Sequence, residues 1–500
     1  MAETIGLLIL EAAGATASVT GFGSAAITIS VAGATISAAS VVGAAAITAA
    51  AIGLQYALAP SPSVPKPESG SQAIRQSAPP RIRGYWINRL AGSYMMFEAG
   101  GPLPNTSYDV IAFHHGKIDT VLGLYLSDDE VTTAISLDHF GTILAVQPTP
   151  DGYYGSQVNV ELWQGIDPQP ASTFLTGDSA INSLWTSAFH GHGIAYLVMK
   201  CTGTTDPAAF TKKFPRNKPE ASVVARCSPV WDPRDGAQSR SNPATWTTSP
   251  NPVLHLIDYL TGDPLNTGGP GLDYDTAIAP VLTDWMAEAE LCDALVDDDP
   301  RYQCAGWYRL DNNPEDVVGK LLSTCDGWLS ENGDGTLSLV TGYYRAPDDP
   351  PLTGEHIVGA SVDYGIADES VINQLTITIT DPNNKYVSLQ LQPYADEASV
   401  AIYGVRDQPL DLTWVQWPAQ AGRLARRAML RVNPAMQGSL ITTLYGFRYL
   451  GKRWTRVQYP EIAGLEDAVI EIQSAKIQRS AGQIVFGWKL VDPDALLALQ

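Results

Sequence analysis

The sequence predicts a mainly β protein with an inserted helical region, an α+β chain, preceded by an apolar Gly/Ala-rich helical arm. Three observations carry this. Strand-length runs that alternate or stay apolar fill residues 82–200 and return after His356. Between them, three segments from Pro250 to Leu329 follow the helical period, two of them behind cap residues. Ahead of both lies "GSAAITISVAGATISAASVVGAAAITAAAIGLQYALAP", Gly23 to Pro60, with no charge and almost no large side chain.

The arm, residues 1–59, repeats small residues at four-residue spacing. Ala26, Ser30, Ala34 and Ala38 make one row; Ala45, Ala49 and Gly53 make a second. Such faces let helix backbones approach closely. The segment does not read as a cleaved signal: Glu3 and Glu11 are its only early charges, and the apolar run exceeds the usual 7–15 residues or so. Self-association, plugging of a channel and contact with a membrane stay open for it. Residues 60–80 hold Pro60, Pro62, Pro65, Pro67, Pro79 and Pro80, which favour an extended linker.

A first β domain is expected over 81–229. "RGYWINRLAGSYMMFEA" reads as a hairpin turning at Ala91-Gly92, and "YDVIAFHHGKIDTVLGLYL" as another turning at Gly116. A helical middle region is expected over 230–354. Asn251-Pro252 and Asn313-Pro314 each pair an N-cap with proline at the first helical position. Ile278 to Val296 and Val317 to Leu329 carry apolar stripes. A second β domain is expected over 355–500. Leu375, Ile377 and Ile379 alternate with threonines before a "DPNN" turn, and one helix, Ala419 to Val432, interrupts.

Charge and chemistry narrow the function. Lys plus Arg number 31 against 52 Asp plus Glu, which excludes a sequence-specific nucleic-acid binder facing phosphate with cations. Five scattered cysteines with no CxxC read as reduced core thiols. His114, His115, His190 and His192 are the nearest thing to metal ligands, but they flank turns and glycines and read as loop histidines. "DDDPRY" and "ENGDG" lack calcium-loop spacing. "TGGPGLDYD" does not lead a strand into a Lys-Ser/Thr helix. No catalytic residue, cofactor or metal is therefore assigned, and a non-enzymatic protein is expected. Arg423, Arg426, Arg427 and Arg431 cluster on one helix. They pair with carboxylates of the same chain, or they contact a neighbouring subunit or passing phosphate; contact with a neighbouring subunit is the candidate functional reading.

"VWDPRDGAQSRSNPATWTTSPNPVLHLIDYLTG", Val230–Gly262, resembles the tail-tip attachment family of long-tailed phages, the host-specificity J type, related to the baseplate hubs of contractile tails. Further stretches resemble its hub domains: "GSQAIRQSAPPRIRGYWINRLAGSYMMFEA", "DGTLSLVTGYYRAPDDPPLTGEHIVG", "DESVINQLTITITDPNNKY" and "LDLTWVQWPAQAGRLARRAMLR". The resemblance spans about residues 70–490.

It implies a homotrimeric hub at the distal end of a virion tail, made in the host cytoplasm. Two tube-like β-barrel domains per subunit would form a pseudo-six-fold ring. The implied partners are the distal tail protein or tube ring, the tape-measure protein, receptor-binding tail proteins and the host envelope. The chain stops soon after the last hub domain, so receptor choice is expected in another protein. Three arms packed together would then close the tail lumen. A tail-associated cell-wall hydrolase or carbohydrate-binding component is the alternative, and a self-associating membrane-inserting protein a third reading.

Overall fold

A computed structural model describes residues 28–31, 34–37, 79–100, 105–204 and 206–500. Within the arm, Thr28–Val31 and Ala34–Ser37 form an antiparallel pair with Ser30 opposite Thr35 and Val31 opposite Ala34. This corrects the helical expectation at Ser30 and Ala34. The β-branched Thr28, Ile29, Val31, Thr35 and Ile36 favour the pleated backbone. Ala26, Ala38, Ala45, Ala49 and Gly53 lie outside the described residues.

The first β unit is built on β1 (Ser93–Gly100), β2 (Thr106–His115), β3 (Ile143–Ala145), β4 (Val158–Gln164) and β5 (Ile194–Thr202). They form one antiparallel sheet in the spatial order β1-β2-β5-β4-β3. A second sheet, Ile87–Leu90, Ala221–Arg226, Thr120–Leu126 and Asp129–Val131 in that order, faces it across a core that includes Leu90, Phe113, Leu124, Leu162 and Leu197. Both expected hairpins are therefore wrong in their pairing. Ile87–Leu90 and β1 sit in different sheets, as do β2 and Thr120–Leu126. Gly92 and Gly116, both at positive φ, turn the chain from one sheet into the other. A Cβ at Gly92 would lie 2.3 Å from the Ala112 carbonyl, so only glycine fits that corner.

Helices α1 (Pro252–Thr261), α2 (Leu282–Asp293) and α3 (Pro314–Thr324) follow. The side chains of Asn251 and Asn313 accept from Val253 N and Glu315 N, as their cap positions require. α2 and α3 are shorter than the apolar stripes that mark them. Val296 lies in a two-residue ladder, and α3 ends before Asp326 at φ 49, so Trp328 and Leu329 start a strand.

The chain closes with β6 (Ile357–Tyr364), helix α4 (Pro418–Val432), β7 (Met436–Thr443), β8 (Trp454–Gln458), β9 (Ala468–Gln478) and β10 (Gln483–Val491). These strands make an antiparallel sheet in the order β6-β7-β10-β9-β8, with Leu352–Thr353 added beyond β8. "ITTLYGFRYL" is a strand only to Thr443; Leu444–Tyr449 is a 3-10 turn. Residues 374–432 do not join this sheet. Leu375, Ile377 and Ile379 of the strand Gln374–Asp381, with α4, share one core with α1, α2 and α3. A boundary at 355 thus cuts across a continuous core.

All five cysteines are buried and free, and burial pushes the thiols of Cys201 and Cys227 up to about 12. Native protein is expected to leave all five unalkylated by iodoacetamide at pH 8, and unfolded protein to take up five labels without reductant. A uniform disulfide in the mass spectrum would contradict this.

Candidate functional site

The arginine helix, α4, is the main candidate. One face of α4 sends Ala421, Leu424, Ala425 and Ala428 into the shared core. The adjoining stripe, Gln420, Arg427 and Arg431, is also buried. Gln420 bonds both the amide and the carbonyl of Gln303 and the carbonyl of Thr324. Arg427 Nε lies 2.8 Å from Asp326 Oδ2. Arg431 grips both oxygens of Asp326, with Nη2 at 2.9 Å from Oδ2, and its Nε is 3.0 Å from Glu471 Oε2. Arg453 completes the cluster, 2.7 Å from Glu471 Oε1 and 3.1 Å from Asp326 Oδ1.

Burial alone would raise the Asp326 carboxyl. The three guanidiniums, Arg431 foremost, outweigh it and hold the group far below the ordinary carboxylate range. Glu471 is held down the same way by Arg431 and Arg453. A Cβ at Gly342 would lie 2.7 Å from Asp326 Oδ2, so the bend that follows Leu337–Val340 beside the cluster needs glycine.

This overturns the subunit-contact reading for two of the four arginines. Arg427 is 1% exposed and Arg431 5%, and their partners come from their own chain. The cluster is a clamp between α4, the end of α3 and the last sheet. Arg423 is half-buried, with Nη2 2.9 Å from the Arg301 carbonyl. Arg426 is exposed and stays available to a partner.

A second junction ties the first β unit to the helices. Ile82–Tyr85 pairs with Gly306–Arg309. Arg83 Nη2 lies 3.0 Å from Asp258 Oδ2, to which Tyr85 also donates at 2.8 Å. His255 stacks on Tyr85 at 4.4 Å. Burial holds His255 neutral, with its pKa near 4, and its Nε2 lies 2.7 Å from the Ser249 carbonyl.

The other histidines do not gather. His114 sits among the Gly116 and Gly84 carbonyls and the Ser228 hydroxyl, at 3.1, 3.4 and 3.2 Å. Burial lowers its pKa to about 3, so it is neutral, and Ser228 beside it is too buried to meet a substrate. His190 and His192 stack on each other at 4.8 Å. Among the described residues no three His, Cys, Asp or Glu side chains are placed to share a metal ion. "ENGDG" is the turn between Trp328–Glu331 and Leu337–Val340, and "DDDPRY" turns Leu295–Val296 into Asp299–Pro300. In "TGGPGLDYD" a Cβ on Gly269 would sit 1.9 Å from the Tyr259 carbonyl, so that glycine serves close packing.

One feature was not legible in the sequence. A cleft of about 700 Å³ opens between α2, the strand Leu337–Val340 and residues 345–349 and 450–454. Its buried carboxylate, Glu288, accepts from Thr341 N at 3.0 Å, Thr341 Oγ1 at 2.6 Å and Arg345 Nη2 at 2.5 Å. These contacts occupy it structurally. Its lining comes from segments far apart in the chain, so no local spacing announces it.

No family model matches the chain, and no curated protein matches it. Solved structures do. A chain of the virion of a native gene transfer agent particle is 14% identical, with 89% of this chain and 93% of that one aligned at a TM-score of 0.54. The prophage MuSo2 43 kDa tail protein from Shewanella oneidensis and a tail protein from Neisseria meningitidis MC58 align over 84% of this chain at 11% identity and a TM-score of 0.29. This chain shares the fold of the first, a protein that is part of a virion particle.

Proposed function

We propose that the chain is a structural hub of a phage-type tail tip or baseplate. Three copies form a ring that continues and closes the tail tube and gates genome delivery. The observation carrying this reading is internal repetition of topology. The first sheet and five of the six strands of the last sheet share one antiparallel order, first-second-fifth-fourth-third. Three chains would supply six such units, the number that matches a six-fold tube.

Each unit also ends, among the described residues, in an outer strand of eight residues, β1 and β6. Met95 and Phe97 on the first are 56% and 59% exposed; Val358 and Tyr364 on the second are 55% and 63% exposed. Long apolar edges are liabilities unless covered, and a ring covers them. The ring's partners would be the distal tail protein or tube ring, the tape-measure protein and receptor-binding tail proteins. The arm would plug the lumen and meet the host envelope on release. The carboxylate excess would line the channel and let DNA slide past without binding.

Light scattering on the full chain tests this. A three-chain mass of about 160 kDa, from a 53.5 kDa chain, is expected, with pseudo-six-fold rings in electron micrographs. Monomers at every concentration, together with cleared peptidoglycan on zymograms, would favour the cell-wall hydrolase instead.

A further inference from the structure

The first sheet carries a covering segment on its outer face. Residues 166–193 cross the outer face of the first sheet and bury a separate small core, Tyr108, Trp163 and Tyr196 from the strands against Leu175 and Ile181. Two carboxylates hold this segment, and their surroundings are opposite.

Glu161, on β4, lies fully buried beneath it. Ser172, the N-cap of the short helix Thr173–Thr176, donates its hydroxyl to Glu161 Oε2, and Trp163 Nε1 lies 3.0 Å from the same oxygen. Among the described residues, Glu161 Oε1, the Tyr196 hydroxyl and the Trp185 indole N–H have no hydrogen-bond partner. Tyr196 stacks on Trp163 at 5.8 Å and faces Trp185 at 6.2 Å. The groups acting on Glu161 are the Ser172 hydroxyl, the Trp163 indole and the Phe174 amide, with Tyr196 as its titratable neighbour; none is a cation.

Asp178, on the segment itself, is held by Lys200 Nζ at 2.7 Å, the Tyr108 hydroxyl at 2.6 Å and the Ala180 amide at 3.1 Å. His190 and His192 stack near the segment's end, and His192 lies 3.8 Å from Asp167.

We propose that residues 166–193 are a pH-sensitive strap over the first sheet, latched by Glu161 beneath it and by Asp178 on it, and loosened when Glu161 ionises. Burial pushes the Glu161 carboxyl up, and its hydrogen bonds offset this only in part. Its hold is complete below the ordinary glutamate value and is lost as pH rises through the raised one. Burial also acts on Asp178, but Lys200 and Tyr108 bring it down to about 2, so its hold is lost only in strong acid. The strap is thus tightest in mild acid and loosens toward alkaline pH. This goes beyond the hub reading and does not depend on it.

Hydrogen exchange on the full chain between pH 4.5 and 8.5, corrected for intrinsic exchange, tests the latch. In peptides from 170–186 the opening equilibrium is expected to rise up to tenfold per pH unit above about 4.3, then level off. Glu161→Gln should abolish the rise. Ser172→Ala, which keeps the carboxyl but removes a donor to its ionised form, should move the plateau to higher pH. Asp178→Asn should open the strap by a constant factor across the range. Opening that does not change with pH in the native chain, a rise retained in Glu161→Gln, or a plateau unmoved by Ser172→Ala would overturn the proposal.

Discussion

Asp326→Asn is expected to be the most damaging single substitution at a polar position, costing about 3–5 kcal/mol. The shape is kept, but of the three buried guanidiniums only Arg431 and Arg453 still reach a carboxylate, Glu471. Arg427 loses its ion-pair partner outright. The loss falls on the seam between the shared helical core and the last sheet, because Arg453 and Glu471 stand on β8 and its approach and on β9 while Arg427 and Arg431 stand on α4. Calorimetry should show a new, lower transition for the last sheet, not a uniform shift of one peak. The native carboxylate is ionised far below the ordinary value of about 3.9, so its contribution is present at neutral pH, survives mild acid and fades only as pH falls toward the depressed value. The variant should therefore lie below the native chain by a constant margin from about pH 5 to 8. An unchanged thermogram would show that the cluster carries no net stability.

Asp258→Ala should act at the other junction, by about 3 kcal/mol. It leaves Arg83 buried against Tyr85 and Tyr308 with no counter-charge. Burial disfavours the Arg83 cation, and Asp258 is the main group that restores it. The Tyr85–His255 stack and the pairing of Ile82–Tyr85 with Gly306–Arg309 remain, so the effect is smaller than at Asp326. Limited proteolysis should release the first β unit from the helical core faster than in the native chain. Arg83→Met added to Asp258→Ala should recover part of the loss, since it removes the stranded charge along with its partner. A double variant no better than Asp258→Ala would mean the junction is held by packing alone.

The sequence by itself determined element types wherever a local rule applied. Asn251-Pro252 and Asn313-Pro314 start helices because side-chain caps and a fixed proline φ act within a few residues. Leu375, Ile377 and Ile379 point one way because a pleated strand alternates by two. The reduced, buried cysteines followed from their scatter.

Only the tertiary structure decided what pairs with what. The two apparent hairpins beside Gly92 and Gly116 were sheet corners, because strand partners are chosen by cores that residues more than a hundred positions apart build together. The four arginines looked alike in sequence. Their fates differ because a turn of α4 places Arg427 and Arg431 beside Asp326 and Glu471 and leaves Arg426 in solvent. The repeated strand order was invisible for the same reason: topology is a property of long-range hydrogen bonding, and two sheets can share it with no matching residues at all.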